Sequence, residues 1–207
     1  MMNFLRKYGI ICALLTISLV AFGQAGYIKT KAIFAQHLLN NAWEQTLQDG
    51  KPHKPWSWAD TYPVAKLEVP SQDIEQIVLA GASGRNLAFG PGHILSSAKL
   101  TENGHVVLGG HRDTHFEFLQ YLKVGDPIKV TNKKGGTVHY RVTAFEVHHI
   151  EKDTLYDRGD NQITLITCYP FNTLETGGPL RYLVHGERVK ESTKIFLHES
   201  KKHSFFL

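Results

Sequence analysis

The strand-like run Gln162-Ile-Thr-Leu-Ile-Thr-Cys168 is β-branched and nearly uninterrupted, and Tyr169-Pro170 stops it directly behind the thiol. Cys168 therefore sits at the end of a rigid element, where a nucleophile can meet a substrate. A thiol of this kind needs a partner that helps it become thiolate and later protonates a departing amine, and imidazole does both near neutral pH. Among twelve histidines the best placed is His111, which follows the strand-and-glycine run Val106-Val-Leu-Gly-Gly110. Asp113 and Thr114 then offer turn hydrogen bonds. Arg181 follows the flexible Thr176-Gly-Gly-Pro179 and opens the strand Tyr182-Leu-Val-His-Gly186. Its guanidinium is a permanent donor suited to an oxyanion or a substrate carbonyl. Spacing alone makes this trio suggestive only, since many strand-rich, histidine-rich chains supply one.

The elements that must position these groups are read from texture. From Val64 onward short β-prone segments alternate with Gly, Pro, Asn and Asp, and strands are expected at 65–69, 77–80, 105–109, 128–131, 137–150, 162–167 and 181–189. Such spacing argues an antiparallel barrel or sandwich. Asn132-Lys-Lys-Gly-Gly136 reads as a hairpin turn. With 207 residues, 42% of them hydrophobic and 20% charged, the chain suits one globular domain and lies far from the composition of disorder. Lys+Arg 23 against Asp+Glu 19 gives a net charge of +4 with no basic stripe, so no nucleic-acid partner is expected. Two cysteines, Cys12 and Cys168, exclude a disulfide scaffold and a Cys-rich zinc module.

The N-terminus sets the compartment. After Arg6 and Lys7 the chain is uncharged until Lys29 and mostly apolar through Phe22, about the length of a spanning helix, and the basic pair places the N-terminus inside. The competing reading is a cleaved signal peptide using Ala21-Phe22-Gly23, but the run exceeds the about 7–15 residues of a signal core. Cys12 is then an apolar residue of the anchor, and Cys168 is the thiol on the exported side. Ile28, Ala32, Ala35, Leu39 and Ala42 recur at helical spacing, with Ile33, Phe34, Leu38 and Trp43 widening the stripe. The organisation expected is an anchor at 1–26, an amphipathic helix at 27–50, a Pro- and Trp-bearing linker at 51–63, a catalytic barrel at 64–190 and a polar tail at 191–207.

Three ordered stretches, Leu108-Gly-Gly-His-Arg-Asp-Thr-His-Phe116, Thr164-Leu-Ile-Thr-Cys168 and the Arg181-x-Leu-Val-x-Gly186 pattern, together with Gly90-Pro-Gly-His93 upstream, resemble the sortase family of membrane-anchored cysteine transpeptidases. The likeness runs from about Pro63 to Val189. It implies a mostly β fold, an eight-stranded antiparallel or mixed barrel with short helices, and catalytic roles for Cys168, His111 and Arg181. It also implies that the enzyme cuts a C-terminal sorting signal of Leu-Pro-x-Thr-Gly type on an exported protein, forms a thioester, and passes the acyl group to an amine acceptor in the envelope. The single anchor and the Pro-Trp-Ser-Trp-Ala-Asp linker look most like the single-anchor sortases of Gram-negative bacteria. No lid of the pilin-polymerising type is read before the barrel.

Supporting positions are His93, which is similar to a recurring sortase position that shapes the pocket and reads equally as a hydrogen-bonded structural histidine, Arg112 and Asp113, placed to orient His111, and Thr167 beside the thiol. Arg112 has an alternative reading as a surface ion pair. No cofactor is expected. His105, His111, His115 and His148-His149 lack metal-ligand spacing, and Glu146, Glu151 and Asp153, the acidic residues that a calcium-activated sortase would need, read equally well as a solvated strand edge. The other functions considered are an L,D-transpeptidase or papain-like enzyme and a non-catalytic envelope-binding barrel.

Overall fold

The computed structural model describes residues 2–100, 102–152, 159–173 and 177–189, with side chains from residue 8 onward. One helix, α1 (Met2–Asp49), precedes eight strands: β1 (Pro63–Val69), β2 (Ile74–Ala80), β3 (Gly92–His93), β4 (His105–Gly109), β5 (Pro127–Asn132), β6 (Thr137–His149), β7 (Gln162–Cys168) and β8 (Leu180–Arg188). They close into a barrel in the order β1-β2-β3-β4-β7-β8-β6-β5. The pairs β2/β3 and β4/β7 are parallel and the rest antiparallel, so the sheet is mixed. β3 was not anticipated: two residues carry no period, and it exists because Gly92 and His93 pair with Leu79 and Ala80 on one side and Gly109 and Leu108 on the other.

Alternation fills the barrel. Val106, Leu108, Ile163, Leu165, Val184, Ala65, Leu67, Val130, Val138 and Tyr140 form one buried cluster with Phe116 and Leu119, as period-2 side chains on inward faces must. The expected turn closes the β5/β6 hairpin, with Gly135 at φ 76° and the Asn132 carboxamide oxygen accepting from the amides of Lys134 and Gly136.

The anchor and the amphipathic stripe are one unbroken helix. Its C-terminal part buries Ala35, Leu39, Ala42, Trp43 and Thr46, and Leu39 and Trp43 pack on Ile77, Leu79 and Phe89. Burying a leucine of this kind is worth about 1.5–3 kcal/mol. The N-terminal half of the stripe is not covered by the barrel: Ile28, Ile33 and Phe34 stay at least 60% exposed. Gly50, at φ 71°, ends α1 by donating to the Thr46 carbonyl at 2.9 Å. The linker then packs Trp56 edge-on to Phe89 and ties the Thr61 hydroxyl to the Ala80 carbonyl. Residues 191–207 lie outside the described residues.

Candidate active site

The parallel β4/β7 pair runs in register from His105↔Gln162 to Gly109↔Ile166. The ladder continues past the strand end, where the Gly110 amide donates to the Ile166 carbonyl at 3.1 Å. His111 follows Gly110 directly, and Cys168 stands two residues past Ile166, after Thr167. Thr167 adds a clasp: its buried hydroxyl donates to the Gly110 carbonyl at 2.7 Å. On the other flank β7 pairs antiparallel with β8, and Cys168 lies directly opposite Arg181. The strand ends thus deliver His111, Cys168 and Arg181 to one rim of the barrel. Cys168 is a free, half-buried thiol.

Each neighbour has a local cause. After Gly110 the chain turns back, with the Phe116 amide donating to the His111 carbonyl at 2.9 Å. The fully buried Phe116 ring lies so close that a Cβ on Gly110 would fall 2.6 Å from Phe116 Cγ, so only glycine fits before His111. Arg112 is buried, and it donates from Nη1 to the Pro170 carbonyl at 2.8 Å and from Nη2 to the Thr173 carbonyl at 3.2 Å. The residue after His111 is thereby bolted to the segment after Cys168. Asp113 is exposed and makes no hydrogen bond or ion pair among the described residues.

Arg181 donates from Nη1 to the Gly178 and Leu180 carbonyls at 2.7 and 2.9 Å. Its Nε and Nη2 donors make no hydrogen bond among the described residues, which leaves them for an incoming oxygen. Behind the rim an aromatic stack supports β8: Tyr182 lies parallel to Tyr169 at 6.0 Å and edge-on to Phe171 at 5.2 Å. Burial, and then the neighbouring Tyr169 hydroxyl, push the Tyr182 phenol up, so it stays neutral.

His93 serves the fold around β3. Its Nε2 is 2.9 Å from the Ala98 carbonyl and 3.3 Å from the Ser97 hydroxyl, and burial, partly offset by the Ala98 contact, holds the imidazole below the usual histidine range. His115 is held low in the same way, first by burial, with the Ala88 carbonyl opposing and His111 contributing repulsion.

A polar chain on the outer face of the barrel escaped the sequence reading. His105 Nε2 is 2.7 Å from the Thr164 hydroxyl, which is 2.9 Å from His185 Nδ1; His185 Nε2 is 3.2 Å from one Glu146 oxygen, and the other lies 3.2 Å from His148 Nδ1. Glu146 is half-buried and lies on the part of β6 that, among the described residues, pairs with β8 alone, the β5 pairing stopping at Arg141, so the strand-edge reading fits its place in the sheet. The readable signal was Thr164 and His185 standing in otherwise apolar strands. On β6, His148 is the register partner of Arg181, so the chain ends beside the rim. Among the described residues no group of three or more His, Cys, Asp or Glu side chains is arranged to hold a metal; Asp153 lies outside them.

The chain matches the sortase domain over residues 67–189. It is 33% identical over 128 residues to sortase D of Bacillus subtilis (strain 168), covering 59% of this chain and 62% of that protein. To sortase A of Bacillus anthracis it is 27% identical over 136 residues, covering 63% of this chain and 62% of the other. The chain thus spans a little under two thirds of the length of these curated relatives. Among solved structures, sortase A from Corynebacterium diphtheriae aligns with a TM-score of 0.57 at 31% identity, over 67% of this chain and 66% of that one. Sortase C-1 from Actinomyces oris aligns at 0.54 and 34%, over 62% and 74%. A closed mixed barrel bearing a cysteine opposite an arginine, and a match that covers the barrel almost from end to end, lead to one conclusion: the chain belongs to the sortase family of cysteine transpeptidases.

Proposed function

We propose that this chain is a membrane-tethered transpeptidase that cleaves a Leu-Pro-x-Thr-Gly-type signal on an exported protein and transfers the protein to an envelope amine. The observation that carries the reading is the register of Cys168 with Arg181, with Gly110 and His111 tied alongside by the Thr167 clasp. Cys168 is the nucleophile, and its sulfur attacks the threonine carbonyl carbon. The carbonyl oxygen, now an oxyanion, is met by the donors of Arg181. The C–N bond breaks as His111 gives a proton to the leaving amine, and a thioester remains. An acceptor amine then attacks that carbon, returns a proton to His111, and expels the thiolate. Splitting acyl transfer in two lets an amine replace water in the second step and preserves an amide-type bond.

α1 is long and apolar enough to cross a membrane, with mean hydropathy 1.9 in its apolar window. We read it as the anchor, with the N-terminus inside and the barrel on the exported side. The test is direct. Wild type incubated with a Leu-Pro-x-Thr-Gly peptide accumulates an acyl-enzyme mass at Cys168 that hydroxylamine releases, and Cys168→Ala and His111→Ala give neither acyl-enzyme nor product. Turnover by Cys168→Ala at the wild-type rate overturns the reading.

A further inference from the structure

The exported end of α1 carries an apolar face that the barrel leaves open. From Tyr8 to Tyr27 the helix rises about 30 Å, the thickness of a bilayer's hydrocarbon core, at about 1.5 Å per residue. Tyrosines thus stand at both limits, where aromatic side chains favour the headgroup level. Tyr27 and Ile28 are 65% and 63% exposed, and beyond them Ile33 and Phe34 are 64% and 60% exposed. Lys31 and Phe34 lie about 6 and about 10 Å past Tyr27 along the axis, and the headgroup layer is about 5–7 Å deep. Side chains on a helix lean toward its N-terminus, which here is toward the membrane.

At this level the linker folds back against α1. Lys31, Phe34, Leu38, Trp56, Trp58 and Phe89 line a mainly apolar cavity of about 430 Å³. Trp58, on the wall of that cavity, is 82% exposed. An indole so exposed in water gains neither packing nor a dry partner, whereas at a membrane interface its ring and its N–H are both accommodated. Lys29 and Lys31 make no ion pair among the described residues, while Arg85 at the same cavity is engaged by Asp60 at 3.1 Å. Lys31, on the wall of that aromatic collar, matches phosphate above acyl chain.

We infer that the Phe34–Trp58 collar, with Lys31, is a lipid-binding surface that seats the barrel on the headgroup layer of the membrane α1 crosses. This rests on the anchoring reading above. The occupant is phospholipid because the collar is continuous with the spanning helix: any other partner would have to displace lipid from that layer. The collar gives the domain a second point of attachment and restrains its rocking about α1.

The test uses the full chain with Cys168→Ala, reconstituted in phosphatidylcholine vesicles whose acyl chains are brominated near the glycerol. Tryptophan emission of this protein is compared with that of its Trp58→Phe derivative, and the difference reports Trp58. Expected is a Trp58 component quenched by the brominated lipid and spared by aqueous iodide. Cys12 serves as the control for anchoring, through protection from a membrane-impermeant maleimide. Protected Cys12 with Trp58 quenched by iodide and not by bromine overturns the collar and leaves the anchor standing. Labelled Cys12 overturns both.

Discussion

The Arg112 guanidinium reaches 2.8 Å to the carbonyl of Pro170, joining the residue after His111 to the residue two places after Cys168. With its second bond, to Thr173, it spans the two strand ends that carry the proposed proton donor and nucleophile. A positioning role for Arg112 would act through this fork between backbone carbonyls.

Arg112→Met keeps the apolar stem and removes the fork. The expected result is a kcat lowered by roughly 10-fold or more with KM little changed, because misplacing a reacting group costs rate before binding. Arg112→Lys restores only part of the rate, since one ammonium cannot replace a planar fork. Steady-state kinetics on the peptide substrate checks both, and a wild-type kcat in Arg112→Met removes the residue from the positioning scheme.

Arg181→Lys retains charge but not the donors that the guanidinium holds clear of Gly178 and Leu180. Turnover is expected to fall by roughly 10²-fold or more, the usual consequence of losing an oxyanion donor. Because the oxyanion exists only after attack, the loss belongs in acylation rate, read by single-turnover mass spectrometry. An unaltered acylation rate would take Arg181 out of the site.

Gly110→Ala drives a methyl group into the Phe116 ring, which is fully buried and has nowhere to retreat. Overpacking of this kind costs about 1–3 kcal/mol. The same displacement moves His111, so activity falls by more than the stability loss explains. Chemical denaturation alongside peptide turnover tests this; a stable and fully active Gly110→Ala contradicts the close approach.

His93 and His115 predict how stability varies with pH. Burial holds both imidazoles below the ordinary value of about 6.5 that they regain on unfolding. Below about pH 6.5 the unfolded chain binds protons that the native state refuses, so the stability they contribute is full above that pH and is lost as pH falls toward their native values. Melting of the full chain in nanodiscs from pH 8 to pH 5 is expected to show this decline, shallower in His93→Gln and in His115→Gln. Identical slopes in wild type and both variants would refute the assignment.

Much of this was legible in the letters, for identifiable reasons. The seven longer strands announced themselves because β-branched runs end at Gly, Pro or Asn, as at Gln162–Cys168 before Tyr169-Pro170. The rim residues were legible because each sits at such an end. β3 was not, since two residues carry no period and only their neighbours define them. The partners of Glu146 were not legible, because only the pairing of β6 with β8 brings His185 beside it. The bonds of Arg112 were not legible, since nothing local reveals two carbonyls about sixty residues away.

The parallel pairing of β4 with β7 sets a sequence of events. Gly110 and Thr167, which clasp the two halves of the rim, are separated by 57 residues, and the whole β5/β6 hairpin lies between them. Closing so large a loop is slow compared with forming local turns. A chain emerging N-terminus first thus exposes its imidazole segment long before its sulfur arrives, and the reactive pair comes into being only when β7 docks.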